Sequence, residues 1–558
     1  MSACLARFFD DAEFATVLTV LEKRARRLPV LRLLVNQNQH RWAGNSGLEL
    51  SLQQVQSRNK PNPETTLSTK LLRSTFTVGG MTLLSRVFGL LRDITIATFF
   101  GATGGTDAFL VAFKIPNFMR RLFGEGAFSL AFVPVFSEYK EKHSREALKD
   151  LVDHVAGTLG GFLLLLSVLG MIFAPALVYL FAPGFSSNAG QLQLTAELLR
   201  ITFPYIFFIA LVAFAGGILN SFHQFAIPAF TPVLLNICLI ASVFFLAPYF
   251  DEPLMGLAWG VAIAGVVQLL IQFPSLLKLG LMPAPKIKRG HEGVKKIAKL
   301  MVPAIFGSSV AQINLLLDTI IASFLITGSI TWLYYSDRLL EFPLGILGIA
   351  IATVILPTLS QQHARESTEQ FNQTLNWALR LVALITIPAC VGLFIMAGPI
   401  LSSLFEYGKF TASDSYLSSL SLMAYMLGLP AMIVIKILAP GYYARQDTRT
   451  PVKIGIIAMV CNMIMNIAFV VPLVMFDYEA PHIGLALATS LSAYINAILL
   501  YNGLRKTGIF HPQDGWPAWI FRIVVASTAM AAVVLWLNPD ATQWSQWQVM
   551  ERLINLAV

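Results

Sequence analysis

The sequence predicts an all-α polytopic membrane protein built from two homologous six-helix bundles followed by C-terminal helices. Of its 558 residues, 56% are hydrophobic and only 13% are Asp, Glu, Lys or Arg, about half the charged share of a soluble domain. Apolar runs long enough to cross a bilayer recur along the chain, and the second half repeats motifs of the first. These observations exclude a soluble enzyme and a disordered chain, because disorder requires low hydrophobicity. The net charge of +9 is not concentrated on a polar domain, which excludes a nucleic-acid-binding protein.

Thirteen segments have the length and composition of a membrane helix, which needs about 20 apolar residues. They lie near residues 74–99, 106–136, 152–181, 192–218, 227–247, 254–277, 297–325, 331–359, 374–405, 415–439, 452–474, 483–502 and 517–537. A fourteenth begins at Glu551 and is too short to cross. We therefore expect fourteen helices in the natural chain, with the last one truncated here.

The basic residues of the loops predict the orientation. One set of alternate loops holds 17 Lys and Arg residues, whereas the opposite set holds two, Lys409 and Arg552. Cytoplasmic loops carry the excess of Lys and Arg in membrane proteins. The N-terminus is therefore predicted to be cytoplasmic.

Residues 1–68 lie outside this pattern, because they have mixed charge and contain no span. The basic stretch 21–28 could form a helix that lies on the membrane surface. The simpler expectation is a dispensable cytoplasmic extension, or a start site assigned too far upstream.

An internal repeat divides the remaining chain. Three pairs of segments match in order, at separations of 225, 223 and 219 residues: 91–100 with 316–325, 132–137 with 355–360, and 230–233 with 449–452. The predicted divisions are an extension at 1–68, a first lobe at 69–278, a second lobe at 279–506, and added helices at 507–558. Repeats in the same orientation enclose a binding site near the membrane midplane.

Charged residues inside the spans mark the candidate site. Such residues cost about 2.5–3.5 kcal/mol each on insertion scales, so they line a cavity by default. The candidates are Arg86, Arg92 and Asp93 in the first span, Asp107, Asn117, Arg120, Arg121 and Glu125 in the second, and Arg338 and Glu341 in the eighth.

Two interpretations of these charges remain open. Asp93, Glu125, Asp337 and Glu341 could equally be paired charges that hold helices together. The arginines outnumber the acids close enough to neutralise them. Arg offers a planar fork that binds phosphate with two hydrogen bonds, so the cluster predicts a site for a phosphate or pyrophosphate headgroup.

Sequence motifs for catalysis are missing. The chain has no Walker A sequence for ATP, no HExxH pair, and four widely spaced cysteines without a CxxC motif. We therefore expect a transporter that is not an enzyme and that needs neither cofactor nor metal.

Seven segments closely resemble the MurJ (MviN) family of lipid II flippases, which belongs to the multidrug/oligosaccharidyl-lipid/polysaccharide exporter superfamily. They are SRVFGLLRD at 85–93, TDAF at 106–109, KIPN at 114–117, RRLFGEGAF at 120–128, YYSDRLLEFP at 334–343, YGKF at 407–410 and LAPGYYARQD at 438–447. The likeness runs from about residue 69 to the end of the chain.

The resemblance implies a fold, an activity and a set of site residues. The family has fourteen helices in two lobes around a cationic cavity, and its last two helices form a groove for the lipid tail. Its members move the peptidoglycan precursor undecaprenyl-pyrophosphoryl-disaccharide-pentapeptide from the cytoplasmic to the periplasmic leaflet of the bacterial inner membrane by alternating access. The resemblance implies lipid II as partner, with possible contacts to the cell-wall synthesis machinery. The residues it implies as functional are Arg86, Arg92, Arg120, Arg338 and Asp107, with Glu125 placed beside them.

The sequence leaves three alternative functions to consider. A drug exporter of the same superfamily is disfavoured, because acids rather than arginines would dominate its cavity. A flippase for another polyprenyl-pyrophosphate-linked saccharide is disfavoured by the motifs but shares the same chemistry. A structural scaffold for the cell-wall machinery leaves the arginines inside the membrane unexplained.

Overall fold

The computed structural model describes residues 63–120, 127–287, 290–539 and 541–557, and all regular secondary structure in these ranges is helical. Contacts divide the chain into Met1–Thr75 and Phe76–Val558. Of the first unit, residues 63–75 are described and helical. Most of the predicted extension, residues 1–62, lies outside the described residues. The contacts and cavities described below lie in the second unit.

Ten α-helices make up the first half of the described chain. They are α1 (Pro63–Phe100), α2 (Gly104–Arg120), α3 (Ala127–Lys142), α4 (Arg145–Ile172), α5 (Ala174–Phe181), α6 (Ala189–Thr202), α7 (Tyr205–Ser221), α8 (Ala226–Phe245), α9 (Leu254–Leu270) and α10 (Phe273–Lys278). Short 3₁₀ turns follow α5 at Pro183–Ser187 and α8 at Ala247–Tyr249.

Eleven α-helices make up the second half. They are α11 (Glu292–Ala322), α12 (Ser329–Pro343), α13 (Ile349–Ala364), α14 (Thr368–Ile395), α15 (Ala397–Phe405), α16 (Ala412–Tyr443), α17 (Arg449–Met475), α18 (Ile483–Lys506), α19 (Trp516–Leu537), α20 (Ala541–Gln546) and α21 (Val549–Ala557). A π-helical turn at Leu344–Gly348 joins α12 to α13.

Nine helical segments in the described ranges are long and apolar enough to cross a membrane. They coincide with nine of the thirteen predicted spans, the third to the sixth and the ninth to the thirteenth. The other four predicted spans fall on α1, α2 with α3, α11, and α12 with α13. The described helices α2, α3, α12 and α13 have 17 residues or fewer, and α1 carries Arg86, Arg92 and Asp93. Their number as membrane crossings stays a prediction, and residues 121–126 between α2 and α3 are outside the described residues.

Helix boundaries follow local capping chemistry. Ser144 begins α4, where its hydroxyl accepts a hydrogen bond from the Ala147 backbone N–H at 3.3 Å. Thr411 and Asp414 form a capping box at the start of α16, in which each side chain accepts a hydrogen bond from the backbone N–H of the other residue. These contacts replace the hydrogen bonds that the first turn of a helix lacks.

The buried apolar residues fall mainly into two groups along the sequence. Two packed clusters are drawn largely from α2–α9, whereas a third is drawn largely from α12–α18. This division supports the two-lobe arrangement suggested by the internal repeat. The boundaries of the lobes remain a prediction.

The predicted start of a fourteenth span forms the short helix α21. Its Arg552 is buried, and its guanidinium donates to the Ser402 carbonyl oxygen at 2.6 Å and to the Ser545 carbonyl oxygen at 2.8 Å. Arg552 thus supplies hydrogen bonds to carbonyl groups in the last turns of α15 and α20, where helix carbonyls lack a partner within the helix.

Candidate functional site

A buried polar network joins α1, α8 and α12. The Arg92 guanidinium donates to Asp93 Oδ1 from Nε at 2.9 Å and from Nη2 at 2.6 Å. It also donates to Asn236 Oδ1 at 3.0 Å and to the Tyr334 hydroxyl at 2.9 Å. Arg92 and Asp93 expose 6% and 2% of their surface. These contacts use most of the five N–H groups of Arg92, so this side chain holds the site together.

Arg338 lies at the open edge of this network. Its Nη2 donates to the Tyr334 hydroxyl at 3.2 Å, and its Nη1 donates to Glu341 Oε2 at 2.9 Å. Its Nε lies 3.5 Å from Asp93 Oδ2, and its guanidinium carbon lies 5.0 Å from the centre of the Tyr334 ring. The Arg338 side chain is 33% exposed. Unlike Arg92, it can therefore contact a ligand.

A cavity of about 690 Å³ opens beside the network. Its charged lining consists of four basic side chains, Arg86, Arg92, Arg338 and Lys436, and two acidic ones, Asp93 and Glu341. Within the described part of the chain, Arg86 and Lys436 have no hydrogen-bond or ion-pair partner. Cations without partners in surroundings of low dielectric constant attract an anion strongly. The cavity therefore suits a doubly charged anionic group.

The π-helical turn after α12 makes room for these two cations. π-Helical turns are rare in proteins, and many of those that occur lie at functional sites. A Cβ added at Gly345 would overlap Arg86 Nη2, and one added at Gly348 would lie 3.3 Å from Lys436 Cγ. Each glycine thus leaves a gap that a cationic side chain fills.

A second cavity of about 340 Å³ adjoins the first and shares Arg338 and Glu341 with it. Asn117 of α2 lines this cavity. Arg120, one turn later, donates from Nε to Asn117 Oδ1 at 2.7 Å. The predicted residues Asn117 and Arg120 are therefore near the Arg338 side of the site. Three further charged residues line the cavity, Lys114, Asp318 and Asp337.

Asp107 lies apart from these cavities. Its carboxylate accepts hydrogen bonds from the Gly328 backbone N–H at 2.7 Å, from the Thr331 backbone N–H at 2.9 Å and from the Thr331 hydroxyl at 2.6 Å. It is 2% exposed. An acid at the N-terminus of a helix satisfies unpaired N–H groups and interacts favourably with the helix dipole. The structure thus makes Asp107 of α2 the cap of α12.

Backbone segments cross closely at the same end of the molecule. The Lys409 N–H donates to the Thr98 carbonyl oxygen at 2.8 Å. A Cβ at Gly408 would overlap that same oxygen, and one at Gly101 would overlap the Lys409 carbonyl oxygen. Both glycines have positive φ, 60° and 64°, which other residues rarely adopt. This end is therefore tightly closed.

Arg121 and Glu125 were predicted to belong to the site, but they lie outside the described residues. The structure brings together Arg86, Arg92, Asp93, Arg338 and Glu341 around the larger cavity. It places Asn117 and Arg120 at the adjoining cavity and Asp107 at the closed end.

Sequence reasoning missed several polar residues of the site. Lys436 is a lone charge in an apolar run. The expectation that charged residues inside spans line a cavity, which identified the arginines, applies to it as well. The neutral side chains Asn236 and Asn466 carry no such signal. Asn466 donates to Asp318 Oδ1 at 2.8 Å and to Asn462 Oδ1 at 3.1 Å, which forms a second polar network between α11 and α17.

Comparison with known proteins gives a consistent result. A family model described as "Lipid II flippase MurJ" matches residues 96–557. A Vibrio cholerae protein named "Probable lipid II flippase MurJ" is 46% identical over 500 residues, which cover 88% of this chain and 94% of that protein.

Solved structures show the same likeness. A structure titled "Lipid II flippase MurJ, inward closed conformation" has a TM-score of 0.72 at 30% identity and covers 86% of this chain and 95% of its own. An inward-facing multidrug resistance transporter of the MATE family and MOP superfamily has a TM-score of 0.58 at 17% identity, covering 78% and 98%. At 17% identity, the likeness to the MATE-family transporter concerns the fold alone.

Proposed function

The chain belongs to the lipid II flippase MurJ family, and on this premise we propose that its charged cavities carry the pyrophosphate headgroup of lipid II across the membrane. The chain is a lipid II flippase, a multi-pass membrane transporter of the peptidoglycan precursor and not an enzyme. What remains to be assigned is the role of each residue. We assign the headgroup to the 690 Å³ cavity and its neighbour.

The observation that carries this assignment is the charge of the larger cavity. Four basic side chains face two acidic ones there. A pyrophosphate diester has two negative charges, which would balance the excess. Arg86, whose fork has no partner among the described residues, can donate two hydrogen bonds to one phosphate. Lys436 can bind the other phosphate as a point charge.

The partnered arginines have a different role in this proposal. Arg92 is held by Asp93, Asn236 and Tyr334, so it keeps Tyr334 and Arg338 in position. Arg338, partly exposed between the two cavities, then contacts the headgroup from α12. Asn117 and Arg120 extend the site on α2. We assign Arg121 to it from the predicted helix face that it shares with Asn117 and Arg120, and Glu125 from the family resemblance.

We further propose that the headgroup drives the change between two states. Repulsion among the cations of the cavity opposes closure, and a bound pyrophosphate removes it. The lipid tail stays in the bilayer, so the headgroup enters between α1 and α12. A ligand shifts such an equilibrium only if it binds one state more tightly. Disulfide cross-linking across α1 and α12 should therefore differ with and without lipid II. Identical yields would overturn this proposal.

Replacing Arg86 with lysine is expected to abolish growth of a strain depleted of its own lipid II flippase. The charge is kept, but the planar fork that binds phosphate through two hydrogen bonds is lost. Growth at the wild-type rate, with equal protein abundance in the membrane, would contradict recognition through two hydrogen bonds.

Replacing Gly345 with alanine is expected to weaken transport while leaving stability nearly unchanged. Alanine favours a helix, and the atom it would displace is the free end of the Arg86 side chain. Complementation should fail or become temperature-sensitive, whereas the unfolding temperature in detergent should stay within a few degrees. Gly455→Ala is the matched control, because a Cβ there has no neighbour within 4 Å. Equal complementation by both variants would remove the role assigned to the Gly345 gap.

We also propose the bacterial inner membrane as the location and the cytoplasm as the side of the N-terminus. The basis is the distribution of loop charges, 17 on one side and two on the other. Labelling of single cysteines at residues 143–144 and 406–411 with a membrane-impermeant maleimide tests it. In intact cells only the second loop should react, and the opposite result would reverse the topology. Contacts with the cell-wall synthesis machinery would then lie near the membrane surface.

A further inference from the structure

Three side chains of the types that bind metals lie together where α4 meets the start of α11. None of them is among the residues that line the two cavities described above. Asp150 and His154 are four residues apart on α4, and His291 caps α11. One ligand atom from each of the three side chains lies within 4.8 Å of the others. The imidazole rings of the two histidines are stacked, with centroids 4.7 Å apart and planes inclined by 24°.

We propose that Asp150, His154 and His291 form a binding site for a divalent transition metal such as Zn²⁺. His291 Nε2 lies 3.5 Å from Asp150 Oδ2. Two ligands of a tetrahedral zinc with bonds of about 2.0–2.1 Å are separated by about 3.3 Å. The two side chains are therefore already close to a coordinating arrangement, and a water molecule would complete the four ligands.

The hydrogen bonds of His154 suit a metal ligand. Its Nδ1 lies 2.8 Å from the Asp150 carbonyl oxygen and 3.3 Å from Asp150 Oδ2. A proton on Nδ1 that is donated to this carbonyl leaves the lone pair of Nε2 available, which is the usual arrangement in metal-bound histidine. His154 is also 6% exposed, so its ring orientation is fixed by packing.

His291 would lose only a weak hydrogen bond on binding a metal. The contact from the Val294 backbone N–H to His291 Nδ1 is long, at 3.4 Å. The ring turns about its terminal torsion, which is broad for histidine. Because the two rings are stacked, metal binding requires this rotation to bring the lone pair of His291 toward that of His154.

Lys286 has a carboxylate partner besides Asp150. Lys286 lies 3.8 Å from Asp150 Oδ1, but it is closer to Asp153 Oδ2, at 3.1 Å. Asp153 also pairs with Lys149. A metal on Asp150 therefore leaves Lys286 with a carboxylate partner. Two imidazoles with one carboxylate favour Zn²⁺, Ni²⁺ or Cu²⁺ over Mg²⁺ and Ca²⁺.

The site has a structural consequence. It ties α4 to the first residue before α11, and later residues of α11, Asn314 and Asp318, line the 340 Å³ cavity. A metal there would restrain α11 at the end that the loop charges predict to be cytoplasmic. The sequence signal is an Asp and a His spaced i,i+4, with the third ligand 137 residues later.

Zinc binding to the purified full chain in detergent tests the proposal. We expect one Zn²⁺ per chain by calorimetry, and Co²⁺ should give the visible absorption of a tetrahedral site. Three variants should each weaken binding at least about tenfold, namely His154→Phe, which keeps a ring, His291→Asn, which keeps a cap, and Asp150→Asn. His363→Ala, a change of an exposed histidine outside the cluster, should bind as the wild type does.

Two results would overturn the proposal. Absence of stoichiometric zinc binding by the wild-type chain would overturn the proposal. Equal affinity in His154→Phe and His291→Asn would also overturn it, since the metal would then bind elsewhere. The readout is binding and absorption, so it does not depend on lipid II transport.

Discussion

Replacing Arg92 with methionine is expected to abolish complementation of a strain depleted of its lipid II flippase and to lower the stability of the purified protein. Asp93 would remain buried without its main partner. Breaking a buried pair from one side costs about 3–5 kcal/mol, a large part of the 5–15 kcal/mol that stabilises a typical fold. Growth and thermal unfolding in detergent measure the two effects.

The double variant Arg92→Met with Asp93→Leu separates the two effects. Apolar replacement of both members of a buried pair is often neutral or stabilising. The double variant should therefore recover much of the lost thermal stability. It should still fail to support growth, because Tyr334 and Arg338 lose the residues that position them. Normal growth of the double variant would mean that Arg92 has only a structural role.

Replacing Asp107 with alanine is expected to open the closed end of the molecule. Two backbone N–H groups and one hydroxyl of the first turn of α12 would lose their acceptor. A buried donor without a partner costs about 1–3 kcal/mol, so the contact between α2 and α12 should weaken severely. Complementation should fail, and Asp107→Asn, which keeps one acceptor oxygen, should show a smaller defect.

Cysteine labelling measures this opening directly. Ser329 is fully buried beneath the contact, and Ser329→Cys can be placed in a chain whose native cysteines are changed to alanine. A membrane-impermeant maleimide should label this cysteine rapidly with Asp107→Ala and slowly with the native aspartate. Equal labelling rates would show that Asp107 does not hold this end closed.

The all-helical fold and the approximate positions of the spans could be predicted from the sequence, because a helix that crosses lipid requires a long apolar run. The nine apolar segments are the clearest case. The other four predicted spans are harder to define, because two of them fall on pairs of described helices of 17 residues or fewer and α1 carries Arg86, Arg92 and Asp93. Those same charges identify the lining of the site.

The division of labour among the charged residues could not be predicted. Arg86 and Arg92 lie six residues apart on one helix and look alike in the sequence. Only the fold shows that Asn236 and Tyr334 bind Arg92, whereas Gly345 leaves room for Arg86, which has no partner in the described part of the chain. Asp107 likewise reads as a cavity acid, because its partners are backbone N–H groups more than 220 residues away.

For two of the acids, the structure answers whether they form ion pairs with neighbouring arginines. Asp93 pairs with Arg92, and Glu341 pairs with Arg338. Both acids hold arginines in place, as the interpretation of paired charges expected. The excess of positive charge nevertheless persists, because Arg86 and Lys436 face the cavity without such partners in the described chain.

Movement of lipid II between leaflets tests the assignment of these two cations most directly. Cells that depend on the protein can be probed with a membrane-impermeant reagent that modifies lipid II only in the outer leaflet. We expect modified lipid II with the wild-type chain, and a severe loss with Arg86→Ala and Lys436→Ala combined, at equal protein abundance. Undiminished modification in the double variant would contradict the proposal that the unpartnered cations of the cavity bind the pyrophosphate headgroup.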